Sequence, residues 1–222
     1  MQKYVIASVD NYFRRKIKNK SFIFINKKEL LTLKIIKKIN PKIIFFPHWH
    51  WKVSEEILNN YKCIGFHETP LPYGRGGSPI QNMIIRGHKE TEICAIKMTK
   101  GIDKGPVYKR VKVSLQGSGN QIFERIYKKI SNLIKTFLIK LPKPKTQFGR
   151  SVIFKRRKPE ESNIHNFNEI KKLYDHIRML DINKRNFPKA FIKTKNFILL
   201  FSHARLKNKE IICKVKIEKF ND

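Results

Sequence analysis

Lys42-Ile43-Ile44-Phe45-Phe46-Pro47, then Ser54 to Tyr61, then Lys62-Cys63-Ile64-Gly65-Phe66-His67 is the stretch that decides the fold. The outer pieces are short apolar runs, the first rich in Ile and Phe, and they predict strands. The middle piece predicts a short helix. Toward the N-terminus, Tyr4 to Val9 and Ser21 to Ile25 predict two more strands. Asn26 and Glu29 form a capping-box pattern for a helix with the face Leu30, Leu33, Ile36 and Ile39, closed by Pro41. Strands alternating with helices predict an α/β chain, with a mostly parallel sheet and helices on both of its faces.

Toward the C-terminus the pattern changes. Glu68 to Pro79 is rich in Pro and Gly and predicts a rigid loop just after a strand end. In open parallel sheets, binding sites collect at the carboxyl ends of strands. A helix over Ile80 to Arg86 follows, then strands over Thr91 to Thr99 and Gly105 to Val113. Ser118 and Gln121 can cap a long helix with the face Ile122, Ile126, Ile130, Leu133, Ile134 and Phe137. Leu141-Pro142-Lys143-Pro144-Lys145 has the composition of a linker. The expected organisation is a main domain over 1–140, a linker over 141–150 and a small C-terminal α+β region over 151–222. In that region Asn166 and Glu169 are expected to cap a helix carrying Ile170, Leu173, Tyr174, Ile177 and Leu180. Strands are expected near Ala190 to Lys193, Phe197 to Phe201 and Ile211 to Ile217. In the last, Cys213, Val215 and Ile217 should form a half-buried face, opposite Lys214 and Lys216.

The net charge is +32, from 37 Lys and 12 Arg against 17 acidic residues. Such a balance suits nucleic acid. Lys outnumbers the two-pronged Arg and is spread along the chain, which favours a compositional origin or attraction for a nucleotide diphosphate. The nearest thing to a run is Lys155-Arg156-Arg157-Lys158. Cys63, Cys94 and Cys213 lie far apart among apolar residues, so they predict small buried side chains in a reducing compartment and no zinc site. The first ten residues lack the long apolar core of a signal peptide, and no apolar run approaches a membrane span. A cytoplasmic protein with no membrane partner is expected.

Two clusters carry the chemistry. The first is Phe66-His67-Glu68-Thr69-Pro70-Leu71-Pro72-Tyr73-Gly74-Arg75-Gly76-Gly77-Ser78-Pro79-Ile80-Gln81, and the second is Lys97-Met98-Thr99-Lys100-Gly101-Ile102-Asp103-Lys104-Gly105-Pro106-Val107-Tyr108. Over roughly residues 40 to 135 the chain resembles the formyltransferases that use 10-formyltetrahydrofolate. His67, Pro72, Arg75, Gly76 and Pro79 match one family pattern in register, and Asp103, Gly105 and Pro106 match a second. The resemblance implies a Rossmann-like catalytic domain over 1–140 without a dinucleotide-binding glycine fingerprint. The lengths and the segments Phe45 to Trp49 and Pro72 to Pro79 look most like the short bacterial enzymes that formylate amino sugars. Ile177 to Asp181 and Phe187 to Phe191 look similar to the accessory domain of that class.

The resemblance assigns catalysis to His67 and Asp103. Formyl transfer develops an oxyanion that needs a donor. His67 would donate to it or relay the proton, while Asp103 would orient His67 and help take the proton of the attacking amine. Phe46, His48, Trp49, Met98, Gly101 and Ile102 would hold the folate. Tyr73, Arg75, Gly76, Gly77 and Ser78 would hold the acceptor. The family usually places Asn two residues before the histidine; Gly65 stands there, so His48, His50 or a backbone amide would have to supply that donor. The implied function is transfer of a formyl group from 10-formyltetrahydrofolate, with no metal, to a nucleotide-linked amino sugar. Methionyl-tRNA formylation and a non-enzymatic relative are the competing readings, tRNA is the competing partner, and a homodimer is compatible with either.

Overall fold

The computed structural model describes residues 2–183 and 188–219; Phe187 lies outside them. The strands are β1 (Tyr4–Ala7), β2 (Phe22–Ile25), β3 (Ile43–Phe46), β4 (Cys63–His67), β5 (Tyr73–Gly76), β6 (Glu90–Lys97), β7 (Val107–Ser114), β8 (Val152–Phe154), β9 (Ala190–Lys193), β10 (Phe197–Lys207) and β11 (Glu210–Lys219). The helices are α1 (Tyr12–Lys16), α2 (Leu33–Ile39), α3 (Glu55–Asn60), α4 (Pro79–Ile85), α5 (Gly119–Ile139) and α6 (Ile170–Leu180). These elements form two compact units. The first holds the chain through Gly76, Glu92–Lys112 and Ile126–Ile153. The second holds Gly77–Thr91, Val113–Arg125 and the described residues from Phe154 onward.

The first unit is built on a six-stranded sheet ordered β2-β1-β3-β4-β6-β7. The strands β1 to β4 run parallel, and β6 runs antiparallel to β4. Side chains of a strand alternate between faces. Val5, Ala7, Ile44, Phe46 and Cys63 therefore share one face and pack with Ile36 of α2 and Ile57 of α3. Phe45 and Phe66 take the other face and stack with centroids 6.5 Å apart. The stripe Ile126, Ile130, Ile134 and Phe137 of α5 is buried, and Phe137 meets Tyr108 of β7 at 6.1 Å. This is the mostly parallel α/β architecture that the strand–helix alternation predicts.

Local chemistry sets the helix starts. The hydroxyl of Thr32 accepts from the backbone N–H of Ile35 at 3.3 Å, so α2 begins at Leu33. The expected start at Asn26–Glu29 is corrected: that segment contains only a 3-10 turn over Lys28–Leu30. The hydroxyl of Ser54 caps α3 by accepting from Ile57 N–H at 3.4 Å. The Ser118/Gln121 capping box forms in both directions, at 2.9 and 3.3 Å. The Pro- and Gly-rich loop contains an unforeseen strand, β5, which pairs with β8. Residues 141–150, expected as a linker, carry two reciprocal backbone bonds between Val107 and Lys145, at 2.7 and 2.8 Å.

The second unit has a three-stranded antiparallel sheet, β11-β10-β9, with α6 against β10. Glu169 precedes α6 without making a side-chain cap, so the expected Asn166/Glu169 box is not formed. Instead the buried Arg178 ties the helix down. Its Nη1 donates to the carbonyls of Leu115 and Gly117 at 2.7 and 2.8 Å, and its Nε to Asp175 at 2.6 Å. The half-buried face expected for β11 is also corrected: Val215 is 40% exposed and Ile217 64%. As the edge strand, β11 lies largely beyond the cover that α6 gives β10. Among the described residues no helix is long and apolar enough to cross a membrane.

His176 of α6 is buried against Phe167, with ring centroids 4.8 Å apart. Burial first, and the charge of Arg157 second, push its imidazole down to about 4, against the backbone of Ser162 and the charge of Glu161. A folded-state value below the unfolded one means that the unfolded chain binds the extra proton. Stability should be whole above pH 6.5 and fall as pH drops from 6.5 toward 4, by about 2–3 kcal/mol in all. Urea unfolding at pH 7, 5.5 and 4.5 measures this loss, and it should shrink by about that amount in His176→Phe.

Candidate active site

The strand β4 ends at His67, whose ring is buried and held on both sides. Its Nε2 lies 2.8 Å from the carbonyl of Gly74, which only accepts, so Nε2 carries a proton in that bond. The Thr69 hydroxyl donates to the same carbonyl at 3.1 Å. On the other side, Nδ1 faces Asp103 Oδ2 at 3.4 Å. That carboxylate oxygen also accepts from the backbone N–H of Gly76 at 2.9 Å. The three motif residues His67, Gly76 and Asp103 thus meet around one carboxylate. To donate to a reacting oxygen, His67 must exchange its Gly74 partner.

The Asp103 loop is shaped by two close constraints. Asp103 has φ of 53°, in the left-handed region that Asp tolerates better than most residues. Gly105 is pressed against the sheet: a Cβ there would lie 1.7 Å from the carbonyl oxygen of Lys97. Lys97 N–H in turn donates to Pro106 O at 2.9 Å. The glycine of the second motif is therefore a packing requirement.

Arg75, expected to meet the acceptor, has its guanidinium engaged within the protein. Its Nε and Nη2 donate to Gln147 Oε1 at 3.2 and 2.6 Å, and its Nη1 donates to Ser151 at 3.1 Å. Tyr73 is half-buried on β5, and its N–H donates to Pro70 O at 3.2 Å. Gly77 and Ser78 belong to the second unit. There Gly77 N–H donates to Phe154 O at 2.9 Å, and Ser78 Oγ accepts from Arg157 N–H at 3.1 Å. A Cβ on Gly77 would come within 2.5 Å of the Arg156 backbone, so this glycine admits the basic segment.

The residues expected to hold the folate are spread along the first unit. Phe46 is buried and meets Trp49 edge-on at 6.1 Å. His48, with φ of 52°, pairs its Nδ1 with Glu68 at 3.0 Å, both side chains being buried. The indole nitrogen of Trp49 is buried without a hydrogen-bond partner among the described residues. Met98 lies over Gly65, its Cγ 3.1 Å from where a Cβ would stand, so an apolar side chain crowds the family's Asn position. Ile102 is 76% exposed, and Gly101 accepts from Lys104 N–H at 3.4 Å. A shallow hollow of about 280 Å³ beside Met98 is lined by Glu55, Leu58 and Asn59 and contains neither His67 nor Asp103. Among the described residues no group of three or more His, Cys, Asp or Glu is placed to hold a metal.

Sequence reasoning missed Gln147 and the His48–Glu68 pair. Gln147 sits in a stretch whose Pro and Lys content suggested a linker, and no periodicity marks it. Glu68 was visible inside the first motif, but its partner comes from another strand end.

Comparison with known proteins now bears on this geometry. A solved structure described as methionyl-tRNA formyltransferase from Clostridium thermocellum is 41% identical, with a TM-score of 0.91, and the match covers 99% of this chain and 100% of that one. The chain belongs to the formyltransferase family. A family model described as methionyl-tRNA formyltransferase, C-terminal domain, matches residues 159–218. The methionyl-tRNA formyltransferase of Wolbachia pipientis subsp. Culex pipiens (strain wPip) is 30% identical over 154 residues, or 65% of this chain and 48% of that protein. The chain spans about half the length of the curated relatives it matches. A sugar N-formyltransferase from Shewanella shares the fold at a TM-score of 0.67 and 20% identity, over 88% of this chain and 94% of that one.

Gly105 and Gly65, two glycines of the candidate site, differ in what they face. Gly105→Ala drives a methyl into backbone and should lower the Tm by about 5 °C or more. Gly65→Ala meets side chains alone, Met98 at 3.1 Å and Ile96 at 3.5 Å, and should shift it by about 2 °C or less. Differential scanning calorimetry of the two variants gives the comparison.

Proposed function

We propose that this chain transfers a formyl group from 10-formyltetrahydrofolate to a primary amine, with the amino group of methionyl-tRNA as acceptor. The observation that carries the chemistry is the approach of His67 Nδ1 to Asp103 Oδ2 at 3.4 Å, with Gly76 N–H fixing the same carboxylate. The names of the relatives at 41% and 30% identity support tRNA ahead of the sugar nucleotide that the sequence favoured. The net charge of +32 supports a polyanionic acceptor as well. Action on tRNA would place the enzyme in the cytoplasm.

The folate supplies the activated one-carbon group. The buried, unpartnered indole N–H of Trp49 is a donor that an acceptor atom of a pteridine would satisfy, and Phe46, His48, Met98, Gly101 and Ile102 would complete its surroundings. Asp103 takes the proton that the amine must lose as its nitrogen bonds to carbon. His67 gives its Nε2 proton to the folate nitrogen that leaves as Gly74 lets go, and the proton that Asp103 took from the amine passes to the imidazole. A nucleotide-linked amino sugar is the second reading, supported by the segments Phe45 to Trp49 and Pro72 to Pro79, which resemble the short sugar-modifying enzymes.

The protein should be mixed with 10-formyltetrahydrofolate and either charged initiator tRNA or a panel of nucleotide-linked amino sugars, and products weighed by mass spectrometry. Formylmethionyl-tRNA is the expected product, formed more slowly as salt rises. Formylation of a sugar alone would transfer the assignment to the second reading, and no formyl product from either would refute both. Asp103→Asn and His67→Asn should each lower kcat/KM about 100-fold or more.

A further inference from the structure

We infer that Gln147 is a positioning residue of this active site, a latch that sets the Asp103 carboxylate against His67. The inference rests on the role just proposed for that pair.

A primary amide offers two N–H donors and a carbonyl oxygen with two lone pairs. Gln147 uses all four. Its Nε2 donates to the carbonyls of Asp103 and Gly105, at 2.7 and 2.8 Å. Its Oε1 accepts from Nε and Nη2 of Arg75, at 3.2 and 2.6 Å. The two carbonyls flank Lys104, so the amide fixes the turn in which Asp103 holds its φ of 53°. Arg75 is also tied to Ser151, and the next residue, Gly76, gives its N–H to Asp103 Oδ2. Gln147 therefore reaches the carboxylate by two routes. One runs through the backbone of Asp103, the other through Arg75 and Gly76.

The gap under control is narrow. A charge-assisted N–H···O bond runs at roughly 2.7–2.9 Å, and His67 Nδ1 stands 3.4 Å from Asp103 Oδ2. A displacement of the turn by a fraction of an ångström decides whether the pair is bonded. No other neutral or acidic side chain reproduces the set. Glu keeps the two bonds from Arg75 but has no donor for the two carbonyls, Met keeps nothing, and Asn is one methylene short.

Gln147→Met, Gln147→Glu and Gln147→Asn should all stay folded by circular dichroism. Met and Glu should each lower kcat about 10- to 100-fold, with KM changed by less than about threefold. In an Asp103→Asn background, Gln147→Met should cost less than about twofold more, because it acts through that carboxylate. The 15N signals of the His67 ring, assigned by their loss in His67→Gln, should move in Gln147→Met. Unchanged kcat in both the Met and Glu variants, losses that multiply in full with Asp103→Asn, or unmoved His67 signals would each overturn the inference. If the unmodified protein formylates nothing, the proposed function fails, and the His67 signals still decide the role of Gln147.

Discussion

The antiparallel course of β6 is the constraint on which the site depends. His67 closes β4 and lies beside Cys94, whereas Lys97, at the end of β6, lies beside Ile64. The loop that follows thus starts three residues short of the histidine, about 10 Å away at the rise of a strand. Asp103 can reach His67 only if the loop doubles back over the sheet. The left-handed turn at Asp103 reverses the chain. Gly105 lies flat on the Lys97 carbonyl, where no side chain fits. The carbonyls turned outward by this reversal are taken by Gln147, and the carboxylate is taken by Gly76. Each contact is modest, at roughly 1 kcal/mol for a neutral hydrogen bond and more for one to a charge. Together they hold a conformation that the sheet by itself would not produce.

The same economy explains the Arg-Gly-Gly-Ser motif. Its arginine resembles an anion clamp in the sequence, yet the guanidinium is engaged by Gln147 and Ser151. Its first glycine contributes a backbone N–H to Asp103, and its second leaves room for the backbone of Arg156. In the second unit, the amide of Asn82 donates to the carbonyls of Gly77, Ser78 and Lys155, at 3.0, 3.1 and 3.1 Å. The motif is thereby an internal fastening. Three of the five N–H donors of Arg75 are committed within the protein in this way, which leaves the guanidinium less free to grip a phosphate than the sequence suggests.

Gly65 shows how a local substitution alters a site without altering its frame. Met98 crowds the space that a side chain there would need. Nearby, β3 and β4 run side by side with Phe46 opposite Gly65, and each strand delivers a histidine two residues later. His48 pairs with Glu68 and His67 with Asp103, so two adjacent strand ends each present an imidazole held by a carboxylate.

The sequence by itself determined the mostly parallel sheet, its alternation with helices and the two segments that meet at the site, but not α1, β5 or β8. Apolar runs such as Ile43–Phe46 and Cys63–His67 have no stable place except between layers, and the 3.6-residue stripe of α5 has one apolar side. These are local signals, carried by the residues that obey them. Only the tertiary structure decided what Arg75 and Gln147 do and that Val215 and Ile217 face solvent, while the start of α2 follows a local signal at Thr32. Thr32 displaced the Asn26–Glu29 cap because it stood nearer the end of the apolar stripe. Gln147 looked like part of a linker because its three partner residues, Arg75, Asp103 and Gly105, come from a remote strand and a remote loop. Hydrogen bonds between distant segments leave no period or composition in the chain, since their energy depends on geometry that exists only after the sheet has formed.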